Sequence, residues 1–234
     1  MKRLFAVVVL ALAGNAWSQT LFSDPFDGTA IDSSKWSVYL PFTNSTASVQ
    51  GGVLRSVNRG TIVANQNFSS PYILSGTFRH SSIYDVTSIY LRSDGQRKLT
   101  DIYGGMTGVS ISFWSPYNYY GVGNLHVGTS DTSGSVATYA QSFNWNVDYT
   151  FSILDTGESL NIKVTGTDIS PIDWIVPITF STGTKIALAS RENAFHPSQT
   201  GVTDFLDIQV SIPEPSSLSL LALGGVVAAF RRRK

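Results

Sequence analysis

YILSGTFR at residues 72–79 and VTSIYLR at residues 86–92 are the segments that decide the fold. In both, apolar residues alternate with polar ones, which is the two-residue period of a strand that buries one face. Further alternating runs lie at 109–113, 149–153 and 160–165. Turn-forming triplets lie between the runs, at 58–60, 93–95, 155–157 and 181–183. Because no segment carries a 3.6-residue apolar stripe, the pattern predicts an all-β chain folded as a two-sheet antiparallel β-sandwich.

Composition excludes several classes of protein. The chain has 234 residues and no cysteine, which excludes disulfides, thiolate metal sites and cysteine nucleophiles. Six of its 16 basic residues lie at the two termini, and residues 19–213 keep 10 basic against 15 acidic residues, a net charge of −5. Since binding to nucleic acid requires a basic footprint, nucleic acid is not an expected partner.

The N-terminus has the three parts of a secretory signal peptide. MKR precedes the apolar run LFAVVVLALA at residues 4–13, and small residues follow at Ala16 and Ser18. We predict a signal peptide at residues 1–18, removed by signal peptidase. The alternative is an uncleaved anchor, although the apolar run is shorter than a relaxed membrane span.

The C-terminus combines a rigid motif, an apolar run and a basic end. Pro213, Glu214 and Pro215 form the motif, because two prolines keep the backbone extended. LSLLALGGVVAAF at residues 218–230 predicts a short transmembrane helix, and the positive-inside rule keeps the final cations in the cytoplasm. Those cations, the basic stop, are Arg231, Arg232, Arg233 and Lys234.

This tail, residues 213–234, resembles the PEP-CTERM sorting signal. The resemblance implies processing by an exosortase in a Gram-negative bacterium that makes extracellular polysaccharide. It also implies an inner-membrane anchor before cleavage, followed by a location at the cell surface or in the extracellular matrix. The alternative is an ordinary single-span tail anchor.

The body, predicted as one domain at residues 19–212, resembles concanavalin A-like lectin/glucanase domains. Three segments carry the resemblance: LFSDPFDGTAIDSSKW at 21–36, GGVLR at 51–55 and DFLDIQV at 204–210. The resemblance implies a jelly roll of two stacked antiparallel sheets, whose concave face commonly meets carbohydrate, and whose last strand pairs near the first. Fold alone does not fix function.

No catalytic residues are predicted. Glucanases of this fold carry Glu-x-Asp-x-(x)-Glu on one strand, since retaining hydrolysis needs two carboxyls roughly 5–5.5 Å apart. Neither Glu158 nor Glu192 begins such a motif, and Asp204 and Asp207, three residues apart, are expected on opposite faces of a strand. The Asp-Thr-Gly at 155–157 reads as a hairpin turn between two alternating runs, not as an aspartic protease motif.

A loop rich in aromatic residues is the predicted carbohydrate-binding platform, because aromatic rings stack on sugar rings while amides and hydroxyls bond to their hydroxyl groups. Its members are Trp114, Tyr117, Asn118, Tyr119 and Tyr120. The alternative is that this loop only packs over the edge of the sandwich. Trp145 and Trp174 lie in strand-like runs and are expected in the core.

No cofactor is expected apart from a structural calcium ion, which the family resemblance implies between the first and last strands. Its expected ligands are Asp24, Asp27 and Asp204, because hard carboxylate oxygens suit calcium. The leading functional hypothesis is therefore an exported, non-catalytic protein that binds carbohydrate or extracellular polysaccharide. The alternatives are a polysaccharide-degrading glycosidase or lyase with an unrecognised site, and a structural surface protein without a ligand.

Overall fold

The computed structural model describes residues 19–97, 105–116, 124–131, 135–192 and 200–213, without the side chain of residue 192. The described strands are β1 (Thr20–Asp24), β2 (Trp36–Tyr39), β3 (Thr46–Gln50), β4 (Val53–Val57), β5 (Thr61–Ala64), β6 (Tyr72–His80), β7 (Asp85–Ser93), β8 (Val109–Trp114), β9 (Leu125–Thr129), β10 (Ser135–Tyr139), β11 (Asp148–Asp155), β12 (Ser159–Thr165), β13 (Ile172–Pro177), β14 (Lys185–Glu192) and β15 (Val202–Ser211). No helix in the described ranges is long and apolar enough to span a membrane. The predicted signal peptide and transmembrane helix lie outside those ranges.

Two antiparallel sheets form the predicted sandwich. The eight-strand sheet has the order β13-β12-β11-β6-β15-β4-β3, with β1 also paired to β15. The seven-strand sheet has the order β10-β9-β8-β7-β14-β5-β2. The chain crosses repeatedly between the sheets, for example from β6 to β7 and from β14 to β15, so each sheet combines strands that are distant in sequence.

The first and last strands pair, as the sequence predicts. Thr20 lies opposite Ser211, and the amide of Ile212 donates to the carbonyl of Gln19 at 2.9 Å. We call this the terminal end of the sandwich. At the other end of β15, Val202 lies opposite Val57 and Thr203 opposite His80, and we call this the distal end.

The core between the sheets is built from the apolar members of the alternating runs. Phe78 of β6 is fully buried at its centre, and Ile111 of β8 and Leu188 of β14 are equally buried on the facing sheet. Their polar neighbours in sequence point away from the core because successive strand residues face opposite sides. The alternation that predicts the strands therefore also positions the core.

A buried ion pair closes the terminal end. The Arg92 guanidinium donates to the Asp155 carboxylate with Nη2 2.6 Å from Oδ1, and its Nη1 donates to the carbonyls of Ile178 and Phe180 at 2.9 and 3.2 Å. Arg92 adopts a φ of +52°, which turns its side chain from the outer face into the sandwich. The two sheets are thus joined at this end by hydrogen bonds to charged groups.

The distal end of the interior is polar and fully buried. Thr203 donates to Oδ2 of Asp85 at 2.6 Å and lies 3.0 Å from the hydroxyl of Thr87. Burial raises the pKa of Asp85 well above its ordinary value, and Oδ1 of Asp85 has no partner in the described structure. Burial also lowers the pKa of His80 to about 4, so this imidazole is neutral at physiological pH.

Replacing Asp85 by Asn is expected to stabilise the protein above pH 6.5. A carboxyl whose pKa is raised in the folded state favours folding at low pH, where it is protonated. The stability that it contributes is lost as pH rises, because the folded state must then either keep the proton or bury the charge. The gain of Asp85→Asn over the wild type should grow by up to about 1.4 kcal/mol per pH unit until the folded pKa is passed. His80 is present in both proteins and is neutral in the folded state above pH 6.5, so the difference between the two proteins in urea unfolding from pH 6.5 to 9 reports on Asp85.

The matched control is Asp27→Asn, at an exposed position. It should follow the wild type at every pH. An Asp85→Asn variant whose stability runs parallel to the wild type over this range would contradict a protonated, buried Asp85.

Two expectations about individual residues are wrong. A β-bulge in β15 lies between Phe205 and Asp207, so Asp204 opposite Arg79 and Asp207 opposite Thr77 share the outer face rather than lying on opposite faces. Trp145 is 48% exposed, because it forms only an isolated bridge beside β6 and belongs to no strand.

Two other expectations fare better. Trp174 of β13 is partly buried and packs against the core. The Asp-Thr-Gly hairpin is confirmed: the amide of Gly157, at a φ of +89°, donates to Asp155 in the turn between β11 and β12.

Candidate functional site

The outer face of the seven-strand sheet carries a continuous row of residues, one from each strand. Strand registers place these seven residues side by side from one edge of the sheet to the other. They are Thr138, His126, Ser112, Ser88, Ala189, Thr61 and Tyr39, which we call the hydroxyl row. Their neighbours in sequence, such as Ile111 and Val127, are fully buried in the core, which fixes the outward direction of the row.

Trp114 lies beside this row, one ladder step toward the distal end. It pairs with Val86, which in turn pairs with Arg191, so these three residues form a second, shorter row. The Trp114 side chain is half-buried and meets the His126 ring edge-on, with centroids 5.3 Å apart and planes at 64°. Its Nε1 is buried and has no acceptor in the described structure. A buried N–H without an acceptor is costly, and a ligand oxygen would satisfy it.

His126 is held by two hydroxyl groups of β10. Its Nδ1 lies 2.8 Å from the Ser135 hydroxyl and 3.3 Å from the Thr138 hydroxyl. When either hydroxyl donates to Nδ1, the neutral imidazole carries its proton on Nε2. Burial lowers the pKa of His126, which favours that neutral form. In that tautomer the ring offers an N–H donor, and its centroid lies 5.3 Å from that of Trp114.

An apolar cluster closes one part of the outer face. Its members are Val63, Tyr90, Met106, Ala187 and Ala189, and all are buried. Ser88 of the hydroxyl row is fully buried next to this cluster, whereas His126 is half-buried and Thr138 exposed. Beyond this cluster, the outer face is accessible at β9 and β10, beside the half-buried Trp114 at the end of β8.

Cations gather at the distal end of the same face. The guanidinium carbons of Arg59 and Arg97 lie 5.1 and 5.7 Å from the centroid of the Phe42 ring. The Nε of Arg97 is buried without an acceptor in the described structure. Arg97 bridges to Met106, so its segment runs across the outer face rather than away from it.

The predicted carbohydrate platform is described only at its first residue. Trp114 is the last residue of β8 and belongs to the site built above. Tyr117, Asn118, Tyr119 and Tyr120 lie outside the described residues. His126, Ser112 and Thr138 were not among the site residues predicted from the sequence. The available signal was that they alternate with core residues on adjacent strands.

The three carboxylates predicted to hold calcium are not brought together. Asp24 lies opposite Ile208, four residues along β15 from Asp204, which separates the two by roughly 12 Å. Oδ1 of Asp24 accepts from the amide of Phe26 at 2.9 Å, and Oδ2 accepts from the indole of Trp36 at 2.7 Å. Asp24 therefore stabilises the segment that follows β1 by hydrogen bonds.

Asp204 is occupied by other partners. Arg55 donates to both of its oxygens at 2.7 Å, and the Ser81 hydroxyl donates to Oδ2 at 2.7 Å. Asp27 is exposed in the loop after β1. Across the described ranges no group of three or more His, Asp or Glu side chains is placed to hold a metal ion. Asp24 and Asp204 thus each bind protein donors at separate places along β15.

Comparison with known proteins identifies the tail. Residues 211–234 match the family model of the PEP-CTERM protein-sorting motif. The motif indicates export and membrane-anchored sorting before cleavage, and it implies processing by an exosortase. No curated protein sequence matches the chain.

Solved structures similar to the body share its fold at low sequence identity. The Emp47p carbohydrate recognition domain has a TM-score of 0.61 and 15% identity, over 85% of this chain and 98% of that one. The Ca²⁺/Man2-bound exoplasmic/lumenal domain of VIP36 has a TM-score of 0.59 and 14% identity, over 83% and 88%. Rv0315 of Mycobacterium tuberculosis, described as a pseudo β-1,3-glucanase, has a TM-score of 0.58 and 14% identity, over 83% and 99%.

These similarities establish the fold of the body. It is a concanavalin A-like β-sandwich of the kind found in lectin and glucanase domains, as the sequence resemblance predicts. Since the neighbours include both carbohydrate-recognition and glucanase-like proteins, fold alone does not select between binding and catalysis.

Proposed function

We propose that the exported body is a non-catalytic carbohydrate-binding domain that uses the outer face of β8, β9 and β10. The observation that carries this proposal is Trp114, a half-buried indole whose buried N–H has no acceptor in the described structure. A sugar oxygen would supply that acceptor. The hydroxyl groups on β10, next to β9, would bond to the remaining sugar hydroxyls.

The surface around Trp114 combines an apolar ring with polar groups, as a sugar-binding surface requires. Aromatic rings pack against the C–H faces of pyranose rings, while hydroxyl groups and imidazole nitrogens bond to sugar hydroxyls. His126 lies 5.3 Å from Trp114, and the accessible hydroxyls of Ser135 and Thr138 lie within 3.3 Å of His126. An apolar ring flanked by convergent polar groups is the usual composition of a ligand site.

The distribution of carboxylates supports binding without hydrolysis. Retaining and inverting glycosidases both require two carboxyl groups that flank the bond to be cleaved. Over the described strands of the seven-strand sheet, the outward positions carry no Asp or Glu. Asp85 faces the interior, where Thr203 binds it. A ligand on this outer face would therefore meet donors and hydroxyls rather than a carboxylate pair.

We propose the following processing. Signal peptidase removes residues 1–18, residues 19–212 form the exported body, and exosortase cleaves at Pro213–Pro215 to deliver the body to the cell surface or extracellular matrix. The intact mass of the mature protein from its producing host tests both cleavages. A mass equal to the uncut chain of 25.4 kDa would contradict them.

Trp114→Ala is expected to weaken glycan binding about thirtyfold, because loss of a central aromatic anchor commonly costs about 2 kcal/mol or more. The full-length chain, purified in detergent, would be screened on a glycan array, and the best ligand titrated by calorimetry. Trp145→Ala is the matched control, since Trp145 is also partly exposed but lies outside the seven-strand sheet.

Three results would count against the proposal. Equal losses in the two tryptophan variants would place binding elsewhere. Release of reducing sugar, or a new absorbance at about 235 nm from β-elimination, would instead identify an enzyme. Silence in the binding and turnover assays together would favour a structural surface protein.

A further inference from the structure

Gln19 is the first described residue of the body and lies immediately before β1. Removal of residues 1–18, as proposed above, makes it the N-terminal residue of the exported protein. The side-chain amide of an N-terminal glutamine is spaced to react with the α-amine of the same residue, because the two groups close a five-membered lactam. The shorter side chain of asparagine would have to close a strained four-membered ring.

The structure leaves both reacting groups of Gln19 without a described partner. The residue is exposed, and its carbonyl oxygen accepts from the amide of Ile212 at 2.9 Å. Its backbone nitrogen and its side-chain amide make no hydrogen bond to a described residue. Because the carbonyl takes no part in lactam formation, the ring can close without breaking the bond to Ile212.

A lactam at this position would cap an edge strand that carries part of the core. Among the described strands β1 pairs only with β15, and Phe22 of β1 is buried with its ring centroid 5.1 Å from that of Trp36. Asp24, at the end of β1, accepts from the Trp36 indole. Aminopeptidases require a free α-amine and begin at an exposed chain end. Loss of that amine therefore protects β1 and the contacts that it makes.

From these observations we propose that Gln19 of the exported protein is converted to pyroglutamate. The α-amine nitrogen attacks Cδ of its own side chain, a bond forms between these two atoms, and the bond from Cδ to Nε2 breaks. Nε2 takes up the amine proton and leaves as ammonia, so the step requires no oxidant or cofactor. An α-amine is weakly basic enough for a fraction of it to be unprotonated and nucleophilic at neutral pH.

The modification changes the charge of the exported body. A free N-terminus carries a positive charge, and the lactam is neutral. The inference rests on the signal-peptide cleavage proposed above, and it is independent of the proposed carbohydrate binding.

Mass spectrometry of the mature protein from its producing host tests the proposal. Free amines are dimethylated in the freshly harvested cells and medium, so that no lactam can form later during purification. An Arg-specific protease then releases residues 19–55 from the denatured protein, because Arg55 is the first arginine of the body. We expect the first residue of this peptide to be unlabelled and about 17 Da lighter than glutamine. Pyroglutamate aminopeptidase should then expose Thr20.

Gln19→Asn is the matched control, since it keeps a side-chain amide at the same exposed position. Its N-terminus should carry the dimethyl label and keep its full mass, and thermal melting shows whether the variant is folded. A wild-type peptide that begins at Gln19 with a labelled α-amine would overturn the inference and keep the cleavage after residue 18. A peptide that begins at any other residue would overturn the proposed cleavage site, and the inference with it.

Discussion

Replacing Arg92 by Met is expected to destabilise the protein by about 3–5 kcal/mol and to lower its melting temperature by about 10 °C. The pair that this arginine makes with Asp155 is almost fully buried, with side-chain exposures of 6% and 0% and an N–O distance of 2.6 Å. Removal of one partner leaves a buried carboxylate without its countercharge, and that penalty exceeds the value of the pair itself.

The pH dependence of this loss has a definite sign. Burial alone would raise the pKa of Asp155, but hydrogen bonds from Arg92 and from the Gly157 amide hold it below its ordinary value. In the wild type this contribution is present above about pH 4 and is lost as pH falls. The loss caused by Arg92→Met should therefore be larger at pH 7 than at pH 4, where the isolated carboxyl can take up a proton.

Arg79→Met is the matched control for Arg92→Met. Its bond to Asp148 has the same N–O distance of 2.6 Å, yet both side chains are exposed by more than a third. We expect a loss below about 1 kcal/mol there. The double variant Arg92→Met, Asp155→Leu should recover part of the single-variant loss. If urea unfolding shows that the double variant loses as much free energy of unfolding as the two single replacements added together, the two side chains do not stabilise each other.

Replacing Phe78 by Ala is expected to cost about 3–5 kcal/mol, because it removes buried apolar area and leaves a cavity that the rigid sheets cannot close. Phe78 is fully buried on β6. Five aromatic rings surround it, with centroid distances of 4.7 Å to Phe113, 5.4 Å to His80, 5.4 Å to Tyr149, 6.2 Å to Phe143 and 6.3 Å to Phe151. These contacts join the two sheets at one point.

Phe42→Ala is the matched control for Phe78→Ala, because it replaces a phenylalanine that is not buried. Phe42 is 39% exposed and contacts cations rather than the core, so its replacement should cost less than about 1.5 kcal/mol. Calorimetric melting and urea unfolding measure both losses. A Phe78→Ala variant as stable as Phe42→Ala would mean that the core repacks around the vacancy, contrary to the close packing described above.

Much of the fold was predictable because strand alternation is a local property. The apolar set of 72–79 is the set that β6 buries, and Gly157 lies in the hairpin turn that its triplet predicts. The bulge in β15 was not predictable, since it inserts one residue without changing the local composition. That bulge puts Asp204 and Asp207 on one face and reverses a conclusion drawn from their spacing.

The candidate site was less predictable, because it is assembled from strands far apart in sequence. Trp114 stood out as an aromatic residue beside a proline, but Arg191 becomes its neighbour only through the pairing of β7 with β14. The proximity of the three predicted calcium ligands depends on strand register in the same way. Pairing of the first and last strands was correctly expected, yet the register places Asp24 opposite Ile208 and leaves Asp204 with Arg55.

The pairing of Thr20 with Ser211 places the two ends of the described body side by side at the terminal end. The C-terminal tail, which carries the proposed membrane anchor, continues the chain from this end. Trp114 lies near the distal end, and the ten residues of β15 between the two ends correspond to about 30 Å. On the proposed function, a glycan bound at Trp114 would lie roughly 3 nm from the point where the tail leaves the body.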